Sequence, residues 1–85
     1  MTNVLYRTSE QPEVRPYCHA IVLEESDSGF DLLCALSCPA KIGQTYLVQR
    51  FGFPAPDEVS LTEEETVTVK GKIFAYRYSG TYGTV

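Results

Sequence analysis

The stretch Thr66 to Tyr78, TVTVKGKIFAYRY, constrains this chain more than any other. β-Branched and aromatic residues stand at almost every second position, the pattern of a pleated, half-buried strand. Val67 and Val69 share one face, and Thr66, Thr68 and Lys70 share the other. Beyond Gly71 the alternation resumes, with Phe74, Tyr76 and Tyr78 set against Ile73, Ala75 and Arg77. A glycine inside such a pattern marks a bulge or a bend. The spacing therefore predicts one long strand kinked at Lys70-Gly71-Lys72, serving two sides of a small barrel.

Upstream, Asn3 to Thr8 reads as a short opening strand, and Thr8 to Pro16, with Pro12 and Pro16, as a loop. Tyr17 to Glu25 is a second strand. Tyr17, His19, Ile21 and Leu23 lie on one face and Cys18, Ala20 and Val22 on the other; both faces are largely apolar, which places it mid-sheet. Ser26-Asp27-Ser28-Gly29 is a turn signal. Phe30 to Ser37 admits two readings. The tight turn before it and its short length favour a strand, whereas Leu32, Leu33 and Leu36 would share a helix face with Ser28 as cap and Pro39 as stop.

After a turn over Pro39 to Gly43, Thr45 to Phe51 alternates as a strand. Pro54 and Pro56 bar Gly52 to Asp57 from a central strand. Val59-Ser60-Leu61 reads as a short edge strand, Glu63-Glu64-Glu65 as an acidic turn, and Ser79 to Val85 as a tail turning at Gly80. The sum is a mainly β, single-domain antiparallel barrel or roll of five to seven strands over residues 1–85, with at most one short helix.

A chain of 85 residues holds one core. Its net charge of −4 and singly scattered basic residues, Lys70 and Lys72 apart, lack the basic stripe that a phosphate backbone demands, so direct nucleic-acid binding is not expected. No segment approaches a membrane span and the first ten residues lack a signal-peptide core, which leads to an expected cytoplasmic location. Three cysteines, an odd number, fit free thiols packed as small apolar groups.

Cys18, His19, Cys34 and Cys38 are the soft metal ligands of the chain. Zinc needs about four such ligands in a tetrahedron, but adjacent strand positions 18 and 19 point oppositely, so no metal site is assigned. A zinc-stapled fold stands as the second alternative. His19, mid-strand among apolar neighbours, reads as structural, although a pair with Cys34 or Cys38 is the one nucleophilic arrangement available. The carboxylate runs Glu24-Glu25, Asp57-Glu58 and Glu63-Glu64-Glu65 sit in or beside turns, where such runs solvate a surface. With no phosphate-binding glycine loop, the expectation is a protein without catalytic residues or cofactor.

Phe51-Gly-Phe53-Pro-Ala-Pro is more informative. The two rings fold back to plug a barrel end, or they stand out as anchors, since aromatic groups on stiff backbone lose little entropy on binding. In the second case Phe51 and Phe53, with Asp57, Glu58, Glu63, Glu64 and Glu65, form an apolar centre with an anionic rim suited to a basic protein surface.

From Val14 to Arg77 the order of signals resembles a PilZ domain, a small six-stranded barrel that binds cyclic di-GMP in bacteria. Ser26 to Leu32 is similar to the family's Asp/Asn-x-Ser-x-x-Gly turn entering a strand, Ala40 to Gln44 to the stretch before its next strand, and Val67 to Arg77 to a later one. The family's Arg-x-x-x-Arg is missing, with Arg7 and Arg15 eight apart, and the turn glycine stands one place early. The resemblance implies the barrel and, as an alternative function, cyclic-dinucleotide binding with Arg7 and Arg15 on the phosphates. The leading expectation is an acidic adaptor or inhibitor, of a kind that phages and mobile elements encode, acting on the basic surface of a partner protein.

Overall fold

The kink expected at Lys70-Gly71-Lys72 is instead a tight turn. Lys70 (φ 53°) and Gly71 (φ 77°) both adopt left-handed backbone, the signature of the two-residue turn that best matches strand twist. It joins two long strands face to face, with Val69 opposite Lys72. The sequence pattern hid this because lysine stands where Asn or Asp usually signals such a turn.

The computed structural model describes residues 2–11, 13, 14 and 16–83. It contains six strands: β1 (Thr2–Thr8), β2 (Cys18–Ser26), β3 (Gly29–Ala35), β4 (Thr45–Arg50), β5 (Asp57–Val69) and β6 (Lys72–Tyr82). They close an antiparallel barrel in the order β1-β2-β3-β6-β5-β4. Residues 29–35 are thus a strand, and no helix is present among the described residues.

The strand expected at Val59 to Leu61 extends through the supposed acidic turn. Glu63, Glu64 and Glu65 pair with Ser79, Tyr78 and Arg77 of β6. Charged residues sit there because that part of β5 is exposed on both faces. Gly80 is no turn either: it lies within β6, opposite Phe30 and Leu61. A Cβ there would stand 2.8 Å from Val59 Cγ1 and 3.2 Å from the Phe30 carbonyl oxygen, so this glycine marks a close approach.

Alternation builds the interior. Val4 and Tyr6, Ala20 and Val22, Leu32 and Cys34, Tyr46 and Val48, Val59 and Leu61, and Tyr78 all point inward and are buried. The register shifts between Leu61 and Glu63. That bulge at Thr62 marks the point where β5 leaves the barrel wall and runs on with β6 as a projecting ribbon.

The connection 36–44, from β3 to β4, crosses one end of the barrel and plugs it with Ala40. Three tyrosines hold it from below. The Tyr78 hydroxyl donates to the Ala40 carbonyl at 2.8 Å, Tyr6 donates to the Cys38 carbonyl, and Tyr46 accepts from the Lys41 amide at 2.7 Å. Cys18 and Cys38 form a disulfide with Cα atoms 6.2 Å apart, tying this plug to the start of β2. The expectation of three free thiols is corrected: residues 20 apart in sequence meet because the plug folds over β2, and only Cys34 keeps its thiol, buried.

Burial pushes the Tyr6 phenol far above its ordinary value, the nearby Cys34 adding to the effect. Tyr78 is raised as well, by burial first and by Glu64 second. Both phenols ionise near pH 10 in an unfolded chain, so above that pH the unfolded state holds fewer protons than the native one. The contribution is complete below pH 10 and is lost as pH rises beyond it, each phenol adding a slope of up to about 1.4 kcal/mol per pH unit. Urea midpoints are expected to hold steady to about pH 9.5 and fall steeply by pH 11, with tyrosinate absorbance rising together with unfolding. Tyrosinate absorbance that rises fully at pH 10 in folded protein would contradict the buried placement.

Candidate functional site

The opposite end of the barrel carries the candidate site. It is built by the β2–β3 turn, the loop 51–56 and the end of β6. Two prolines keep the loop out of any ladder, so it stands clear of the sheet. The loop is stapled rather than loose. The Phe53 amide donates to the Arg50 carbonyl at 3.2 Å, Gln49 Nε2 donates to the Phe53 carbonyl at 2.9 Å, and Gly52 takes a left-handed φ of 89°.

Arg50 organises the site. Its guanidinium bonds Glu25 at 2.6 Å and Asp57 at 3.2 Å. It also lies 4.1 Å from the centroid of the Phe53 ring and 5.9 Å from that of Tyr82. Hydrogen bonding to Glu25 is the main reason its pKa is raised. Glu25, Ser26, Asp27, Arg50, Asp57 and Tyr82 line a cleft of about 520 Å³. Three carboxylates against one guanidinium leave that cleft acidic.

Phe51 and Phe53 are 56% and 51% exposed. They do not plug the barrel; the plug is residues 36–44 at the other end. Among the residues predicted to bind a partner, Phe51, Phe53 and Asp57 come together here, with Glu58 exposed next to Asp57. Glu63, Glu64 and Glu65 do not join them. From Asp57 to Glu64 is seven strand residues, roughly 23 Å. Glu63 and Glu65 lie instead around Arg77, which is itself bonded to Asp31 at 2.7 Å.

Sequence reasoning missed Glu25, Asp27, Arg50 and Tyr82. The β2–β3 turn was legible, but nothing in the order of residues says that this turn and the loop after β4 share one barrel end.

The remaining candidates are dispersed. Cys34 faces the core and His19 the exterior of β2, so they make no nucleophile–base pair, and burial pushes the Cys34 thiol up. With Cys18 and Cys38 bonded to each other, the four soft ligands of the zinc alternative no longer exist as a set. Among the described residues no three of His, Cys, Asp and Glu converge as metal ligands. Arg7 lies over the Tyr17 ring at 4.3 Å, beside a groove of about 270 Å³ under the plug; Arg15 lies outside the described residues. No helix of the described residues is long and apolar enough to cross a membrane. Compared with known proteins, the chain matches no family model, no curated protein and no solved structure.

Proposed function

We propose that this protein is a non-enzymatic binding module that docks the loop-bearing end of its barrel onto a basic surface of another protein. The observation that carries this reading is the pair of exposed rings, Phe51 and Phe53, on a stapled loop at the lip of the Glu25–Asp27–Asp57 cleft. Aromatic groups already held in place lose little freedom on binding, and an anionic rim raises the association rate with a cationic partner. Arg50 stiffens the loop from beneath by its contacts with Phe53, Glu25 and Asp57. Adaptor and inhibitor roles both fit such a surface. The disulfide favours an oxidising compartment over the cytosol.

The test is capture from native lysate on immobilised protein, followed by titration of the captured partner. The double variant Phe51→Ala, Phe53→Ala is expected to weaken that partner by about a hundredfold or more. Binding should also weaken as salt is raised, because the attraction is partly between exposed charges. A partner retained equally by the double variant would rule out this surface. Calorimetry with cyclic dinucleotides separates the other reading: heat lost in Arg7→Ala would move the function to the plugged end.

A further inference from the structure

Among the described residues, the outer edge of the projecting ribbon has no partner strand. β4 pairs with β5 only over Asp57 to Ser60, and the Leu61 carbonyl beyond it is covered by the Gly43 amide. From Thr62 to Val69 the ladder of β5 runs to β6 alone, and among the described residues nothing pairs with its other edge. This is an open template of about eight residues, rich in β-branched side chains. The ribbon is exposed on both faces and carries Val69, Ile73 and Phe74 at 51%, 47% and 62% exposure. A two-stranded ribbon in water is marginally stable by itself.

Its charges are segregated along its length. Glu63, Glu64 and Glu65 stand at the base, and Lys70 and Lys72 at the tip. Stacked parallel and in register, two such edges would set like charge on like charge, which is destabilising. Placed antiparallel, the tip of one meets the base of the other, and the arrangement closes on itself. Which backbone groups face outward follows from the turn. Val69 and Lys72 flank a two-residue connection and bond each other, so Thr68, Thr66 and Glu64 present their amides and carbonyls to the open edge.

From this we infer that the Thr62–Val69 edge of β5 binds the same edge of a second copy of the chain, antiparallel about a two-fold axis. Thr66 of each copy pairs with Thr68 of the other. That register sets Glu64 opposite Lys70 twice and brings the two Val67 side chains together at the axis. The surface is separate from the Phe51–Phe53 end, so the dimer and the binding module stand or fall independently.

Sedimentation velocity across micromolar concentrations tests it. The wild-type protein is expected to show a monomer–dimer equilibrium that shifts to monomer as salt is raised. Glu64→Lys and Lys70→Glu should each weaken the dimer by roughly tenfold or more, since each places two like-charged pairs across the axis. An equimolar mixture of the two variants should recover association, because one chain then carries lysine and the other glutamate at both positions, so both contacts across the axis of the mixed dimer join opposite charges; the double variant Glu64→Lys, Lys70→Glu, in which every pair is again opposite, should recover it as well. Circular dichroism checks that all three variant chains fold, since their substitutions lie on the exposed ribbon. A wild-type protein that remains monomeric throughout, or a double variant no tighter than the single ones, overturns the inference.

Discussion

Gly29→Ala is expected to destabilise the barrel by about 3 kcal/mol or more, at the upper end of what overpacking costs. A Cβ at Gly29 would stand 2.8 Å from the Thr81 Cα and closer still to the Gly80 carbonyl oxygen. Both obstacles are backbone, and that backbone is committed: Gly29 pairs with Thr81, and the Tyr82 amide donates to the Ser28 carbonyl at 2.9 Å. Relief requires opening the β3–β6 ladder, which joins the two halves of the barrel. A domain of this size has a total stability on the order of 4–13 kcal/mol, so the loss is a large share of it. Gly80→Ala is the control. Its nearest obstacle is the Val59 side chain, which can shift, so the cost should be smaller. Urea denaturation followed by tyrosine fluorescence ranks the two. Equal stabilities for Gly29→Ala and wild type would mean that β3 and β6 are not in this register.

Reducing the Cys18–Cys38 bridge is expected to have a comparable effect. Cross-linking positions 20 apart restricts the unfolded chain by about 3 kcal/mol in the loop-entropy model. For a domain of this size that corresponds to a fall in Tm of more than about 10 °C. The native state loses as well, because Cys38 supplies the carbonyl that Tyr6 bonds and lies in the plug. Melting with and without reductant measures this, and a Cys18→Ser, Cys38→Ser double variant separates the bridge from side effects of the reductant. Thiol titration gives an independent count: none reactive in the folded oxidised protein, because Cys34 is buried, one after unfolding, and three after reduction. A Tm insensitive to reductant would show that the bridge does not form.

Much of the architecture was legible because alternation is a local signal. β1, β2 and β4 fall within a residue or two of their predicted limits, since each alternates cleanly and is bounded by turn residues. Two of the errors share one cause, that a glycine has several uses which composition does not separate. Gly71 has the sequence setting of a bend within a strand and is half of a turn; Gly80 has that of a turn and lies within a strand. Glu63 to Glu65 look like a turn because strands are expected to bury a face, yet this stretch of β5 buries neither. The site was half legible for a different reason. Phe51 and Phe53 announce themselves beside prolines, but the acids that surround them come from Glu25 and Asp27 as well as Asp57, and only the closed barrel brings these together. The disulfide was invisible for the same reason: an odd count of cysteines argues for free thiols until the crossing of residues 36–44 is known.

That closure also governs how the chain reaches its native state. The ladders that complete the wall join Tyr6 to Val48 and Asp31 to Ser79, positions over forty residues apart. Such pairings yield nothing until long stretches have been brought together against chain entropy, so this topology belongs among those that fold in milliseconds to seconds rather than microseconds. The Val69–Lys72 hairpin, like the Ser26–Gly29 hairpin between β2 and β3, is nearly free of that delay, which makes the projecting ribbon one of two natural places for the barrel's assembly to begin.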